Sequence, residues 1–139
     1  MKPNRTFPAI PTNLREWTRY LSDLFFARTW TTTLLGCATE PTGTARYTVS
    51  AGIVCLQLPD LSATSNAAQA FLSDLPSAIT PEHDQYCLAR LIDNGVTAVG
   101  VVQVGTDTGI TLYKGLDLGA FTASGTKGIK SSIICYSLD

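Results

Sequence analysis

The hydrophobic and polar positions of the last segment, 129–138, depart from the pattern of a strand at a sheet surface. The segment reads IKSSIICYSL. A half-buried strand alternates apolar and polar residues with a period of two, but this segment is apolar on both faces from Ile133 to Tyr136. Segments 53–58 and 96–104 share that property. Because a sandwich covers only one face of each sheet, we expect a second subunit on the other face.

Short segments rich in β-branched and aromatic residues follow one another from residue 28 onward. We predict strands at 28–35, 45–58 (where Gly52 could interrupt the strand), 86–92, 96–104, 110–114 and 129–138, and loops at 59–65, 105–109 and 122–128. Residues 67–72 fit either a strand or a helical turn. Asn94-Gly95 is a strong hairpin signal. Seven or eight strands at a spacing of roughly 8–12 residues, without alternating helices, predict an antiparallel sandwich or barrel.

The N-terminal segment has a different pattern. Residues 13–27 form the one predicted helix, because Asn13 and Glu16 resemble a capping box. Its apolar residues have the three-four spacing of a coiled-coil seam, namely Leu14, Trp17, Leu21 and Leu24. The helix would then form a short bundle around a symmetry axis, or else lie on its own domain. Three prolines disfavour helix in residues 1–11, which we expect to be an extended arm.

The arm has two interpretations. Phe7 and Ile10 are apolar, which favours insertion into a partner and particle docking. A disordered tail is the alternative, since chain termini are often poorly ordered. We divide the chain into residues 1–27, the arm and stalk helix, and residues 28–139, the β domain.

Composition favours oligomerisation. The chain of 139 residues is 45% hydrophobic and 15% charged, against about 25% charged residues in an average soluble domain. The net charge is −1 and no Lys/Arg cluster is present, so we expect no nucleic-acid partner. The start lacks an apolar signal segment and no stretch approaches the ~20 apolar residues of a membrane helix, so we expect a protein made in a cytoplasm without membrane insertion.

The candidate chemistry is sparse. The four cysteines (Cys37, Cys55, Cys87 and Cys135) form no C-x-x-C pair, so we expect small buried side chains in a reducing compartment, with a disulfide as the alternative. His83 lies between two acids in a polar loop, where contiguous side chains converge poorly on a metal ion. Segment 105–109 (GTDTG) has one carboxylate, and 124–128 (SGTKG) lacks the full P-loop pattern. We therefore expect no enzyme activity, no catalytic residue, no metal and no cofactor.

Several stretches together resemble bacteriophage virion proteins, the short trimeric fibres or head spikes. They are TFPAIPTNLREWTRYLSDL at 6–24, SNAAQAFLSDLPSAITPE at 65–82, NGVTAVGVVQVGTDTGITLYKG at 94–115 and the closing SSIICYSLD. The resemblance implies a mainly β homotrimer: an antiparallel jelly-roll sandwich of the tumour-necrosis-factor type, preceded by a short N-terminal helix. An aromatic residue near the last strand then packs at the threefold axis, as Tyr136 would, with Tyr113 joining it.

The resemblance also implies site residues and partners. The trimer interface would comprise the helix seam (Leu14, Trp17, Leu21 and Leu24) together with Tyr113, Ile134, Tyr136 and Leu138. Strand order would place the loops with Asn94, Gly95, Ser124, Thr126 and Lys127 at the distal end as ligand loops, and 106–108 at the base. The trimer could contact a host-surface glycan or protein by avidity, while the arm contacts other virion proteins. The protein would be located in the virion, made in the bacterial host cytoplasm.

Two other functions remain open from the sequence. A capsid decoration or cement protein at threefold positions would need no receptor. A small carbohydrate-active enzyme would need an acidic pair in a groove, and no such pair falls on facing strands.

Overall fold

The structure is a computed structural model that describes residues 13–17 and 28–139. The second range is mainly antiparallel β. Its strands are β1 (Arg28–Leu35), β2 (Thr42–Ser50), β3 (Ile53–Leu58), β4 (Leu61–Thr64), β5 (Ala70–Leu72), β6 (Gln85–Asp93), β7 (Val96–Val104), β8 (Ile110–Tyr113), β9 (Thr126–Ile129) and β10 (Ser132–Ser137). A short 3-10 helix occupies Ser77–Ile79.

The ten strands form one curled sheet in the order β10-β3-β2-β1-β5-β8-β7-β6-β9-β4. β1 joins the two halves of the sheet, since Arg28–Thr33 pairs with β2 and Leu34–Leu35 pairs with β5. β9 pairs with β6, whereas β10 pairs with β3. Between them, the Lys130 N–H donates to the Arg90 carbonyl at 2.9 Å. The chain thus crosses between the two halves of the sheet within β1 and again between β9 and β10. These two crossings curl the sheet around its core.

The inner face of the curled sheet holds the hydrophobic core. Alternate residues of each strand point inward, as the period of two requires. The core is formed by side chains from nearly every strand and from the connection after β5, among them Leu34, Ala45, Leu56, Leu72, Ile79, Leu91, Val102, Leu112, Phe121, Ile129 and Ile134.

The predicted strands 28–35 and 96–104 are confirmed as β1 and β7. Gly52 does interrupt the predicted strand over 45–58, and the strand is corrected to two, because Ala51 and Gly52 take left-handed backbone angles (φ 51° and 80°) and reverse the chain. β2 and β3 are therefore hairpin partners. The predicted loops at 59–65 and 122–128 are corrected too, since each contributes a strand to the β4–β9 pair.

The last strand presents its two faces in the opposite sense to the prediction. Ile134 and Tyr136 were assigned to a subunit interface, but they are 3% and 5% exposed within the single chain. The Tyr136 hydroxyl donates to the Ile79 carbonyl at 2.6 Å, which satisfies it inside the core. Leu138 packs against this core as well. The outer face instead carries Ile133 and Cys135.

The start of the predicted helix is confirmed. Asn13 Oδ1 accepts the Glu16 N–H at 2.9 Å, and the Asn13 carbonyl accepts the Trp17 N–H at 3.0 Å. The other predicted seam residues Leu21 and Leu24, and the docking residues Phe7 and Ile10, lie outside the described residues. The jelly roll, the trimer and the division at residue 27 stay predictions. Within the described ranges, no helix is both long and apolar enough to cross a membrane.

Candidate functional site

A patch of apolar side chains lies on the outside of β6, β7 and β8, beside outward polar residues such as Arg90. Inward residues such as Ala89 and Leu91 are buried, so their neighbours along the strand point outward. We define the outer apolar face as the residues Phe71, Tyr86, Leu88, Val99, Val101 and Tyr113, which share this orientation. Tyr86, Leu88 and Val99 are 56%, 63% and 55% exposed.

The centre of this face is a row across three strands. Leu88 stands opposite Val101, which stands opposite Tyr113. The Tyr113 hydroxyl donates to Gln103 Oε1 at 2.8 Å, and Gln103 Nε2 donates to Asp84 Oδ2 at 2.8 Å. Because the polar end of Tyr113 is satisfied within the chain, its ring is left to pack against an apolar partner.

A groove adjoins the outer apolar face beside Tyr113. Its volume is about 340 Å³, and Phe71, Tyr113 and Leu118 form its apolar wall. Leu118 is partly exposed, and Leu116 in the same loop is more exposed still. Single exposed apolar residues are normal on a protein surface, but a contiguous apolar patch is typical of an interaction site.

Two loops that are distant in the sequence meet at one tip of the molecule. The Gly95 N–H donates to the Thr126 carbonyl at 2.9 Å. The Thr122 N–H and hydroxyl donate to the two Asp93 carboxylate oxygens at 2.8 and 3.0 Å. Four of the predicted ligand residues are exposed at this tip, namely Asn94, Gly95, Ser124 and Thr126. Whether the tip binds a ligand stays a prediction.

The opposite end of the molecule holds the end of the chain. The Leu138 N–H donates to the Gly52 carbonyl at 2.9 Å, and the Glu82 N–H donates to the Leu138 carbonyl at 2.8 Å. β6 begins next to this contact and runs to the Asn94-Gly95 turn. The Thr106 N–H donates to Asp84 Oδ1 at 3.3 Å, so the turn after β7 lies near the chain end, away from the tip.

Lys127 is not a ligand residue, contrary to the prediction. Its side chain is fully buried, and its Nζ donates to the carbonyls of Ala67 and Gln69. Burial lowers the pKa of the Lys127 amine, while Cys37 and Asp93 act in the opposite direction. The ammonium group therefore fastens the connection before β5 to β9. The glycines around Lys127 suggest a mobile surface loop in the sequence and give no sign of this contact.

The cysteines correct a second expectation. Cys55 and Cys135 stand directly opposite each other on β3 and β10, with Cα atoms 4.2 Å apart, and form a disulfide. Cys37 and Cys87 are free thiols. Burial raises the pKa of both thiols, and near Cys37 the Lys127 charge partly offsets this. Only the strand register reveals the pair, because eighty residues separate the two cysteines.

Two of the polar segments with candidate chemistry, the one around His83 and 105–109, are surface turns. His83 is exposed, and its carbonyl accepts a hydrogen bond from Gln85 Nε2 at 3.2 Å. Asp107 Oδ1 accepts the Gly109 N–H at 3.2 Å inside its own turn. Residues 13–17 and 28–139 contain no group of three side chains that could hold a metal ion together.

Solved structures include a chain of similar fold, at low sequence identity. No protein-family model and no curated protein matches the chain. The chain is similar to the crystal structure of the reovirus attachment protein sigma1 in complex with alpha-2,3-sialyllactose, at 14% identity and a TM-score of 0.46. The alignment covers 96% of this chain and 80% of that chain. A likeness of this size carries no argument about function.

Proposed function

We propose that this chain is a non-enzymatic phage virion protein that self-associates into the trimeric head of a short fibre or spike and contacts the host surface. The observation that carries the proposal is the outer apolar face. Tyr86 and Leu88 on β6 and Val99 on β7 share the outer side of one strand pair, and each is more than half exposed in the single chain. A second copy of the same chain can cover this face, because symmetric homo-oligomers are common and need no other protein.

The groove beside Tyr113 supports this partner. A cyclic trimer uses two different surfaces of each subunit, one for each neighbour. Leu88 projects from β6 on one side of the outer apolar face, and the groove of about 340 Å³ opens beside Tyr113 on the other side of that face, where it supplies a receptor for such a side chain. In the proposal, the helix seam that begins at Leu14 and Trp17 joins the same subunits, and the arm docks to the particle.

The two ends of the β domain support a head that points away from the particle. Leu138 is bonded to Gly52 at the end where β6 begins, and the tip with Asn94 and Thr126 lies at the other end. If the stalk and the chain end share one side, the tip faces outward. The exposed disulfide between Cys55 and Cys135 suits a virion surface, which is an oxidising environment.

Light scattering on the full chain tests self-association. We expect a mass of about 45 kDa, three times the 14.9 kDa of one chain. Leu88→Lys should shift the mass to that of the monomer, because it places an unpaired charge in an apolar contact. The circular dichroism spectrum should not change, since Leu88 is 63% exposed in the single chain.

Ile133→Lys is the matched control. Ile133 is 60% exposed on the outer face of β10, in the other half of the sheet. This variant should keep the trimer mass. A wild-type protein that stays monomeric at all concentrations, or a loss of the trimer in both variants, would contradict the proposed use of the outer apolar face.

Copy number on the particle decides the position in the virion. A few copies at one vertex support an adsorption fibre or spike. Many copies spread over the capsid support a decoration protein at threefold positions, in which case particles that lack the protein should still adsorb to cells. Adsorption lost together with the protein supports host contact.

A further inference from the structure

A second groove opens on the other half of the sheet, over the outer side of β2 and β3. Its volume is about 260 Å³. Arg46 and Gln57 stand opposite each other in the β2–β3 register and both line the groove. Thr44 and Ser131 add hydroxyl groups, and Pro59 adds an apolar wall. One cation, one amide and two hydroxyls thus surround the same space.

The charge of Arg46 has no carboxylate partner in the described part of the chain. The ion pairs found there are Lys114 with Asp93 at 3.6 Å and Lys130 with Asp60 at 3.2 Å. Asp60 follows Pro59 in the groove wall, but its carboxylate is engaged by Lys130. The groove therefore presents a guanidinium group that is available to an anion from outside.

The side chains of the groove match one class of ligand. A guanidinium group binds a carboxylate through two parallel hydrogen bonds. The Gln57 amide and the hydroxyls of Thr44 and Ser131 can each donate and accept, as the hydroxyls of a sugar require. The volume lies just below the roughly 300–1,000 Å³ of drug-sized ligand sites, so it suits one ring rather than a longer chain.

We infer that this groove binds a single carboxylated sugar ring. Arg46 holds the carboxylate, and Gln57, Thr44 and Ser131 contact the ring hydroxyls. The groove lies on the flank of the molecule, so this site is separate from the predicted ligand loops at the tip. It gives a ligand class for the proposed contact with the host surface. The inference rests on the proposed function only in taking the ligand to come from the host surface.

The site is tested by titrating the full chain with D-glucuronate and D-galacturonate. Binding is monitored by calorimetry and by the NMR shifts of the Gln57 side-chain amide. At least one uronate should bind saturably, and D-glucose should bind much more weakly because it lacks the carboxylate. Arg46→Met should weaken uronate binding by at least about tenfold, the effect of losing a charge-assisted hydrogen bond. Arg90→Met is the matched control, since Arg90 is also an exposed arginine within a strand but does not line the groove, and it should bind as the wild type does.

Three results would overturn the inference: no binding of either uronate, equal binding of inorganic phosphate, or wild-type affinity in Arg46→Met. Phosphate binding of that strength would make the groove a general anion site. The mass of the same samples separates this inference from the proposed function. Uronate binding by a monomer would leave the site intact and contradict the trimer, whereas a trimer that binds no uronate would contradict the site alone.

Discussion

The hydroxyl of Tyr136 on β10 donates a hydrogen bond to the carbonyl of Ile79 in the 3-10 helix, across the core, at 2.6 Å. Burial raises the pKa of Tyr136, which keeps the hydroxyl protonated as a donor. Tyr136→Phe would leave the Ile79 carbonyl buried without its partner. We expect the free energy of unfolding in urea to fall by about 1–3 kcal/mol, the range for an unsatisfied buried polar group.

Tyr113→Phe controls for this prediction with the same chemical change. Tyr113 donates to the side chain of Gln103 at a partly exposed site, where water can replace the hydroxyl. Its loss should change the free energy of unfolding by no more than about 0.5 kcal/mol, as at most surface sites. Equal losses in both variants would mean that Tyr136 does not reach Ile79 in solution.

The disulfide between Cys55 and Cys135 should stabilise the fold in an oxidising solution. It closes a loop between residues eighty positions apart, and disulfides typically contribute about 2–4 kcal/mol. We expect a reducing agent to lower the free energy of unfolding of the wild type by that amount. The double variant Cys55→Ala/Cys135→Ala should show no such response.

Thiol titration in denaturant provides an independent measurement. The unreduced protein should show two reactive thiols, those of Cys37 and Cys87. Four thiols without reduction, together with a stability that ignores the reducing agent, would show that the expectation of four reduced cysteines was right after all.

Local pattern was enough to predict some elements. β7 begins directly after Asn94-Gly95, which has left-handed backbone angles at both residues, as a tight hairpin turn needs. The run from Val96 to Val104 is long and β-branched, and its bounds were predicted without error. The Asn13 helix cap could also be predicted, because its hydrogen bond joins residues only three positions apart.

Non-local pairing explains what the sequence did not reveal. β4 reads LSAT and β9 reads TKGI, and neither has a strong strand pattern. β4 pairs with β9, and β9 pairs with both β4 and β6, so their partners in the sheet define these strands. Ile133 and Ile134 are the same residue type, so only their surroundings decide which one is buried. The roles of Cys135 and Lys127 likewise depend on partners that are dozens of residues away.

Gly125 should be required for the contact between the two loops of the tip. It has a φ of 72°, and a Cβ there would lie 2.1 Å from Asn94 Oδ1, at the end of a side chain that can rotate, and 3.0 Å from the backbone Cα of Asn94. Gly95 has a φ of 79° with nothing within 4 Å of a Cβ. Gly95→Ala should therefore cost only the left-handed strain of about 1–2 kcal/mol, and Gly125→Ala should cost more because it also displaces Asn94.

Urea unfolding of the two alanine variants measures that difference. The NMR shift of the Gly95 amide, which donates to Thr126, should move in Gly125→Ala as the loops separate. Equal costs with an unchanged amide shift would mean that the loops do not touch. Both outcomes test whether the two loops form one surface at the tip, since separate loops could not present one ligand site.

Lys127 should make the stability of the fold depend on pH in a defined direction. Lys127→Met removes the donor to two carbonyls, so we expect a loss of about 1–3 kcal/mol at neutral pH. Burial lowers the pKa of the folded-state amine below its ordinary value of about 10.4. In the interval between these two pKa values the unfolded chain binds more protons, so the free energy of unfolding rises with pH there. This added stability is lost as the pH falls through the folded-state pKa. The gap in unfolding free energy between wild type and Lys127→Met should therefore widen as the pH approaches 10.4 from below.

Lys114→Met is the control, because Lys114 is partly exposed and pairs with Asp93 at the surface. A gap that narrows with pH would mean that the folded state holds the Lys127 proton more tightly than the unfolded chain, with the carbonyls of Ala67 and Gln69 outweighing the cost of burial.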